Sequence, residues 1–275
     1  MFWSLIFSAI AFVGLGLLRQ VQPCNPGQPR WISREMGVDL IWWMLSVVLY
    51  ANLGVVLTRL LLQGIYGGVD GQRVLEMLQA GRGVLSHLPV WLQALLVIVI
   101  VDVIQYWLHR AFHTRWLWPF HAIHHSPKQL DWTATWRIHP VNFVFYETVA
   151  GIITLLFGCS LEAFAIVAPF NFFSAALVHA NLNWTFGPFR FVLASPVFHR
   201  WHHASDPAIH DKNFAPTFPV LDLMFGTYHM PKGELPEAYG AEGVPEGVLG
   251  QLAHPFTRIS AMLAEGRVRR TPRAA

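Results

Sequence analysis

Charged residues are scarce in this sequence of 275 residues. Asp, Glu, Lys and Arg together make up 13% of it, whereas soluble domains carry about 25%. Apolar residues reach 54%, and they include 12 Trp and 20 Phe. A chain with so little charge cannot cover its surface with solvated side chains. The composition therefore predicts an integral membrane protein and argues against a water-soluble one.

Cysteine is almost absent as well, and so are the patterns that indicate nucleic-acid binding. Cys24 and Cys159 stand alone instead of forming a Cys-x-x-Cys pair, which excludes a disulfide framework and fits a reducing compartment. They are also too few for an iron–sulfur centre. The net charge is only +3 and no basic run is interleaved with aromatic residues, so we expect no nucleic-acid partner.

Long apolar segments divide the chain. Residues 2–18 are long enough for a span, and we expect a retained helix, with a cleaved signal peptide as the alternative. Further spans are predicted at 40–62 and 88–108, with a turn and a short surface helix over 63–88. The apolar residues 141–180 are long enough for a hairpin of two helices. The predicted fold is an all-α integral membrane protein with four to five membrane-embedded helices.

Basic residues predict the orientation in the membrane. Arg19, Arg30 and Arg34 favour a cytoplasmic link between the first two spans. Counting crossings from that link places His109 on the cytoplasmic side, and the hairpin returns His179 to the same side. We therefore predict a multi-pass protein whose histidine clusters form a helical cap that faces the cytoplasm.

Histidine is abundant, with 14 residues. The pattern His-x-x-His-His occurs as HAIHH at 121–125 and as HRWHH at 199–203, and HRAFH at 109–113 adds a pair four residues apart. Residues three or four apart share a helix face, so each motif can present its imidazoles to one point. The clustered histidines, with one more at the end of the hairpin, are His109, His113, His121, His124, His125, His179, His199, His202 and His203.

These clusters predict metal binding. Packing or solvation explains the isolated residues His87, His210, His229 and His254, but chance does not explain a doubled five-residue motif. Nine imidazoles without a thiolate exceed the four ligands of a structural zinc site, so the set predicts two adjacent ions with open positions for catalysis. Imidazole binds Zn, Cu, Fe and Ni alike, and the ligand type therefore leaves the metal open.

The motifs and their surroundings resemble one known family. HRAFH, HAIHH, WRIHPVNFVFYE, VHANLNW, HRWHHASD and LDLMFGTYHMP occur in the order seen in the fatty acid hydroxylase/sterol desaturase superfamily. The resemblance implies an integral-membrane non-haem di-iron oxygenase whose nine clustered histidines hold two iron ions, with zinc as an in vitro substitute. It covers residues 88–232 as a catalytic domain, between N-terminal membrane helices at 1–87 and a polar tail at 233–275.

Four further residues are expected beside the ligands. Asp102 lies two helical turns before His109 on the same face, and a carboxylate inside a span normally has an inward partner. Metal-bound imidazoles commonly donate their other N–H to such a group. By the resemblance, His139 occupies a recurrent family position, and Asn183 stands where some members have another histidine. Asp206 is a weaker candidate of the same kind.

The activity implied by the resemblance is O₂-dependent oxidation of a lipid that enters from the bilayer. A fatty acyl chain or a sterol would be hydroxylated or desaturated at an unactivated C–H bond. The two electrons are expected from a separate ferredoxin or cytochrome b5 type reductase system, because the chain has neither a His-Pro-Gly-Gly motif nor a dinucleotide fingerprint. The sequence leaves open the choice between the two reactions and the identity of the lipid.

The main alternative is a histidine-rich metal-ion transporter or sensor. Transporters place ionisable ligands near the bilayer midplane on broken helices, whereas these clusters lie at predicted span ends and in a predicted cytoplasmic region. A non-catalytic membrane scaffold with structural metals is a third reading.

Overall fold

The computed structural model describes residues 2–28, 33–50 and 84–270, together with isolated positions between 52 and 76. Helices are the only regular elements within these parts, and one isolated antiparallel bridge joins Ala204 to Tyr239. The predicted all-α class is therefore confirmed. The α-helices are α1 (Phe2–Val21), α2 (Arg34–Leu45), α3 (Val90–Phe112), α4 (Trp118–His121), α5 (Pro140–Phe157), α6 (Leu161–His179), α7 (Pro196–His202), α8 (Val220–Phe225) and α9 (Val248–Arg270).

Two of these helices, α3 and α6, are long and apolar enough to cross a bilayer. They contain 23 and 19 residues, and at a rise of about 1.5 Å per residue each matches a hydrocarbon core of about 30 Å. A shorter apolar stretch covers Ile6–Val21 of α1. Among the described residues two helices meet this criterion, so the expected number of four to five membrane helices stays a prediction.

An exposed apolar stripe runs along α3. Its members, at every fourth position, are 39–67% exposed, and they are Trp91, Leu95, Val99, Val103 and Trp107. Residues spaced by four lie on one helix face. The rest of α3 packs against α5 and α6. A continuous apolar face of this length is expected to contact lipid, which supports membrane association.

Helix α2 begins earlier than the span predicted at 40–62. The Ser33 side chain caps it by accepting a hydrogen bond from the Met36 backbone N–H at 3.1 Å. Glu35 in the first turn also suits a helix N-terminus. A π-helical turn, Ser46–Tyr50, follows α2. Most of the remaining predicted span, and most of the segment 63–88, lie outside the described residues.

The apolar stretch 141–180 forms two helices, α5 and α6. Gly158 ends α5 with φ +73°, a conformation that glycine adopts without a steric penalty. Ser160 then caps α6 by accepting from the Ala163 N–H at 3.3 Å. The Ser160 N–H donates to the Gln93 side-chain oxygen at 2.9 Å, which ties this connection to the start of α3.

One end of each of the helices α3, α5 and α6 lies at the same place. His109 lies in the last turn of α3 and His179 is the last residue of α6. The start of α5 joins them, because Asn142 contacts the His121 ring of the short helix α4. The site described next is built at this convergence.

Candidate metal centre

The structure brings all nine clustered histidines together in two groups. Within each group, one imidazole nitrogen from every ring lies within 4.8 Å of the others. The five-histidine group consists of His109, His113, His121, His125 and His202. The four-histidine group consists of His124, His179, His199 and His203. The groups adjoin, since the rings of His125 and His203 stack with centroids 4.3 Å apart.

Each His-x-x-His-His motif contributes to both groups, which differs from the expectation that one motif serves one point. HAIHH gives its first and last histidines to the five-histidine group and His124 to the other. HRWHH does the reverse, with only His202 in the five-histidine group. The reason is geometric: on a helix the residue at i+4 is turned about 40° one way from residue i, and that at i+3 about 60° the other way.

In the five-histidine group, the two nitrogens of each ring differ in their surroundings. All five Nε2 atoms are buried without a hydrogen-bond partner. Four Nδ1 atoms face acceptors at 2.7–3.0 Å. These pairs are His109 with the Phe214 carbonyl, His113 with the Asp211 carboxylate, His121 with the Asn142 side-chain oxygen and His202 with the Lys212 carbonyl. An Nδ1–H that donates outward leaves the Nε2 lone pair free for a metal.

The four-histidine group converges through its Nε2 atoms. His179 Nε2 lies 3.1 Å from that of His124 and 3.0 Å from that of His199. His203 Nε2 lies 3.1 Å from that of His199. Four nitrogens at about 2.05 Å from one tetrahedral ion would be roughly 3.3 Å apart. The observed spacing therefore needs only a small expansion to admit an ion.

Burial keeps these imidazoles neutral. Burial lowers the pKa of His121, His124, His125, His199, His202 and His203 well below the ordinary 6.5, and neighbouring imidazoles lower it further. Neutral imidazole is the form that binds metals. The Nε2 atoms of the five-histidine group are buried without partners, which is costly, and a shared cation would satisfy them. In the four-histidine group a cation would replace the close contacts between the Nε2 atoms. The donor sets therefore fit two adjacent metal ions.

One short segment, 211–214, supplies three of the four outer acceptors: the Asp211 carboxylate and the carbonyls of Lys212 and Phe214. Asp211 and Asn213 have φ of 61° and 58°, a region that Asp and Asn tolerate better than most residues. The buried Asn213 amide donates to the Phe198 carbonyl of α7 at 2.8 Å. The segment is thereby anchored to the helix that carries HRWHH.

Two buried carboxylates hold the backbone that follows this segment. Asp222 is 0% exposed and accepts from the N–H groups of residues 214 and 215 at 2.7 and 2.9 Å. Asp102 of α3 accepts from those of residues 217 and 218 at 2.7 and 3.0 Å. The prediction that Asp102 accepts from an imidazole is therefore corrected. Its carboxylate supports the backbone next to the ligands, and no described hydrogen bond joins it to a histidine ring.

The other three expected neighbours lie elsewhere. His139 Nε2 is 3.3 Å from the Leu252 carbonyl, and its ring packs against Phe120. Asn183 is exposed after the end of α6. Asp206 caps the 3₁₀ turn Pro207–Ile209. No described hydrogen bond joins any of the three to a histidine of either group, because tertiary folding turns them toward other elements.

The sequence reasoning missed Asn142 and Asp211. A polar side chain in the first turn of the apolar helix α5 was a signal that could have indicated Asn142. No such signal indicates Asp211, because its spacing from HRWHH follows no helical period. The carbonyls of Lys212 and Phe214 cannot be recognised in a sequence either, because every residue has a carbonyl.

A fully buried arginine ties the two histidine-bearing helices α6 and α7. Arg200 is 0% exposed, and its Nη1 donates to the carbonyls of Leu130 at 2.8 Å and His179 at 3.3 Å. Its Nη2 donates to the Asn25 side chain at 2.5 Å, and Nε donates to the Tyr239 hydroxyl at 3.1 Å. Arg200 lies directly after His199, so these bonds fix the end of α6 relative to α7.

A cavity of about 480 Å³ opens onto both groups. Its wall includes His113, His125 and His202 of the five-histidine group and His203 of the four-histidine group. Trp118, with ring centroids 5.0 Å from His113 and 5.2 Å from His125, forms another part of it. The centre is therefore accessible from one side and packed on the others.

The comparison with protein families gives one match. Residues 94–227 match the model of the fatty acid hydroxylase family, and all nine clustered histidines lie within that range. The match confirms the resemblance drawn from the sequence motifs. No solved structure matches this chain.

Curated relatives are lipid-oxidising and related enzymes. The chain is 33% identical over 172 residues to the ornithine lipid hydroxylase OlsE of Rhizobium tropici, covering 62% of this chain and 52% of the relative. It is 31% identical over 161 residues to the alkylglycerol monooxygenase of Xenopus tropicalis, covering 57% and 32%. A very-long-chain aldehyde decarbonylase, GL1-8 of Oryza sativa subsp. indica, is 30% identical over 151 residues, covering 51% and 54%. The chain thus spans about half or less of each relative.

Proposed function

We propose that this chain, whose residues 94–227 match the fatty acid hydroxylase family, oxidises a membrane lipid with O₂ at its histidine centre. The observation that carries the proposal is the pair of adjoining groups of buried imidazoles, nine in all. All five rings of the five-histidine group leave Nε2 without a hydrogen-bond partner, and the Nε2 atoms of the four-histidine group converge at 3.0–3.1 Å. Such a donor set matches two metal ions, and the relatives named above include lipid hydroxylases and monooxygenases.

The reaction is a hydroxylation. One oxygen atom of O₂ enters a C–H bond of the lipid, and the other leaves as water with two electrons and two protons from a donor. Two iron ions, when bound by the nine histidines, would supply the redox chemistry for this step, which zinc cannot. The names of the relatives favour hydroxylation over desaturation, in which the lipid would lose two hydrogens instead.

The protein side chains position the metals and exclude water. Each ligand ring would bind through Nε2, and Asp211 and Asn142 fix the rings of His113 and His121 from outside. The Phe214 ring packs 4.9 Å from His113 and 5.5 Å from His109. Together with Trp118 it shields the five-histidine group from bulk solvent, so a reactive oxidant would meet substrate before water.

A multi-pass arrangement with a cytoplasmic centre is part of the proposal. Helices α3 and α6 both end at the centre while α5 begins there, so α5 has to return across the layer that α3 and α6 span. Arg19 and Arg34 favour a cytoplasmic link after α1, and Arg30 lies outside the described residues. A separate ferredoxin or cytochrome b5 type system would then deliver electrons from the cytoplasm.

The metal transporter alternative fits the geometry less well. The histidines gather at the ends of the candidate spans, whereas a transport site is expected near the bilayer midplane on interrupted helices. An oxygenase also needs an opening through which its substrate reaches the metals, and the cavity beside both groups provides one.

Lipid analysis tests the proposed function. Total lipids from cells that express the chain, its His202→Ala variant or its His87→Ala variant would be compared by mass spectrometry. We expect a lipid with one added oxygen for the intact chain and for His87→Ala, whose histidine is exposed and outside both groups. His202→Ala should lack that product.

The other outcomes are equally informative. A lipid that loses two hydrogens would identify a desaturase. Absence of any oxidised lipid, with iron content and electron delivery verified on the purified protein, would contradict the oxygenase and favour transport. Replacing iron by zinc should abolish the product while leaving the fold intact.

A further inference from the structure

The cavity that opens onto the centre is lined by charged and polar residues, although the proposed substrate is a lipid. Besides the four ligand histidines, Arg115, His210, Asp211 and Glu242 lie in its wall. An apolar acyl chain gains nothing from such a wall, because these groups would lose their hydration without compensation. The wall is therefore better suited to a ligand that is itself charged.

The cavity lies at the level where lipid headgroups are found. The candidate span α3 ends at Phe112. Three residues of the cavity, His113, Arg115 and Trp118, lie in the segment that follows it. The Arg115 guanidinium lies 5.5 Å from the ring of Trp116, which is 48% exposed. Arginine and tryptophan at the end of a span mark the membrane–water interface. A lipid held here would place its headgroup in the cavity.

Arg115 and Glu242 provide charges of opposite sign for such a headgroup. Within the described residues, neither side chain has an ion-pair partner. Asp211 differs, because its carboxylate already accepts from the His113 ring at 3.0 Å. The cavity therefore offers one available cation and one available anion beside the ligand histidines.

An apolar groove within the described part of the chain lies away from these groups. It has a volume of about 370 Å³ and is formed by α1, α2 and the 3₁₀ turn Trp132–Trp136. None of the nine histidines lines it. An acyl chain in that groove would therefore not bring its carbons to the metals, whereas a ligand in the polar cavity meets four of the ligand rings.

We propose that the cavity binds the zwitterionic headgroup of the lipid substrate, with Arg115 on its anionic group and Glu242 on its ammonium group. The oxidised C–H bond then lies in or next to the headgroup and not in the middle of an acyl chain. This inference rests on the proposed lipid oxidation, which it narrows to a class of substrate.

Competitive lipid binding tests the inference without relying on activity. The purified full-length, metal-loaded chain in detergent micelles would be offered phosphatidylethanolamine and phosphatidylglycerol with identical acyl chains, and the bound lipids counted by native mass spectrometry. We expect phosphatidylethanolamine to be preferred. Glu242→Gln should reduce that preference about two- to fivefold, as for one exposed ion pair. Arg115→Gln should weaken the binding of both lipids.

Glu246→Gln is the matched control. Glu246 lies four residues after Glu242 but pairs with Arg34 at 3.2 Å, outside this cavity. It should leave the lipid preference unchanged. Phosphoethanolamine without acyl chains should not compete, and equal competition by it would overturn the assignment to a lipid. A preference that Glu242→Gln leaves unchanged would overturn the assignment to a headgroup site.

The position of the added oxygen separates this inference from the proposed function. Tandem mass spectrometry of the product should place the oxygen on or beside the headgroup. An oxygen in the middle of an acyl chain would overturn the inference and leave lipid oxidation standing. If no lipid is oxidised but the preference depends on Glu242 as expected, the proposed function fails and the headgroup site stands.

Discussion

Each imidazole of the five-histidine group uses its two nitrogens for different purposes. The Nε2 atoms point to a common region, and most Nδ1 atoms donate to a fixed acceptor outside it. The outer bond selects the tautomer and the ring orientation before a metal arrives. At the scale of the residue, the outer partners therefore contribute to metal affinity together with the ligands.

Removing one ligand from each group should separate the two metal positions. His202→Ala truncates the five-histidine group, and His203→Ala truncates the four-histidine group. We expect each purified variant to retain about one of two ions, because a position lacking one imidazole binds its ion more weakly while the other set is intact. Elemental analysis measures the ratio of metal to protein. Loss of both ions in both variants would show that the groups bind as one unit.

The outer partner of His121 gives a second prediction. Asn142→Ala removes the acceptor at 3.0 Å and should weaken metal binding roughly 10- to 100-fold, the usual cost of losing such a bond. Competition with a chelator measures this affinity. Asn183→Ala is the control, because Asn183 is exposed after α6. Equal affinities of the two variants would contradict the role assigned to Asn142.

At the scale of the element, the short helices α4 and α7 interleave the two groups. HAIHH starts at the last residue of α4 and continues into the following turn, and HRWHH covers the end of α7 and its C-cap. The middle histidine of each motif joins the pair from the other. Neither helix alone could complete either group. The four or five ligands of an ion therefore come from elements separated widely in sequence, and metal binding should stabilise the packing of α3, α4, α6 and α7 together.

The backbone after segment 211–214 offers a prediction for an element. Asp222→Ala leaves the N–H groups of residues 214 and 215 buried without an acceptor, so we expect it to destabilise the protein by about 3 kcal/mol. Metal affinity should fall as well, because the Phe214 carbonyl then loses its position beside His109. Thermal unfolding and chelator competition measure the two effects.

The control for this variant is another aspartate that caps a turn. Asp206→Ala removes only the exposed cap of Pro207–Ile209, and it should cost about 1 kcal/mol or less without a change in metal affinity. If Asp222→Ala lowered stability and left metal affinity unchanged, the carboxylate would hold the fold without positioning His109.

Helix prediction succeeded where hydrophobic length decided the outcome. The residues 88–108 and 141–180 became α3, α5 and α6, because an apolar segment of that length has few other ways to satisfy its backbone. The predicted boundaries differ from the observed ones: α3 continues to Phe112 and carries His109 inside its last turn. Helix α2 begins at Arg34, before the predicted start at residue 40. The Ser33 cap stabilises this first turn although the turn itself is polar.

At the scale of the molecule, the centre lies where α3 and α6 end and α5 begins. Helices α3 and α6 share an apolar layer, and α5 returns between them in the chain. The histidine groups are thereby held at the edge of that layer and not in its middle. Under the proposed function, this placement would let a lipid reach the centre from one direction and an electron donor from the other.

The buried imidazoles predict how stability depends on pH. Burial lowers the pKa of His124, His125 and His203 well below the 6.5 expected in the unfolded chain. As the pH falls through about 6.5, the unfolded chain takes up protons that the folded chain refuses. The free energy of unfolding of the metal-free protein should therefore decrease below about pH 6.5 and be nearly constant above about pH 7.5.

Thermal unfolding between about pH 5 and pH 8, with and without metal, measures this dependence. Bound metal should raise the unfolding temperature at neutral pH, and the gain should shrink on acidification because protons compete for the same nitrogens. A metal-free protein whose stability rises below pH 6.5 would show that the imidazoles are protonated in the folded state, contrary to their burial.

The sequence by itself determined the membrane character, the helical class and the nine histidines, because composition, hydrophobic length and local spacing are properties of the chain. It also pointed to two ions. Tertiary structure alone decided how the histidines divide, since one motif faces two directions and its partners come from distant elements. The outer acceptors Asn142, Asp211 and the carbonyls of 212 and 214 were likewise decided by folding. Their contacts span up to 105 residues of sequence, and no local pattern encodes such a distance.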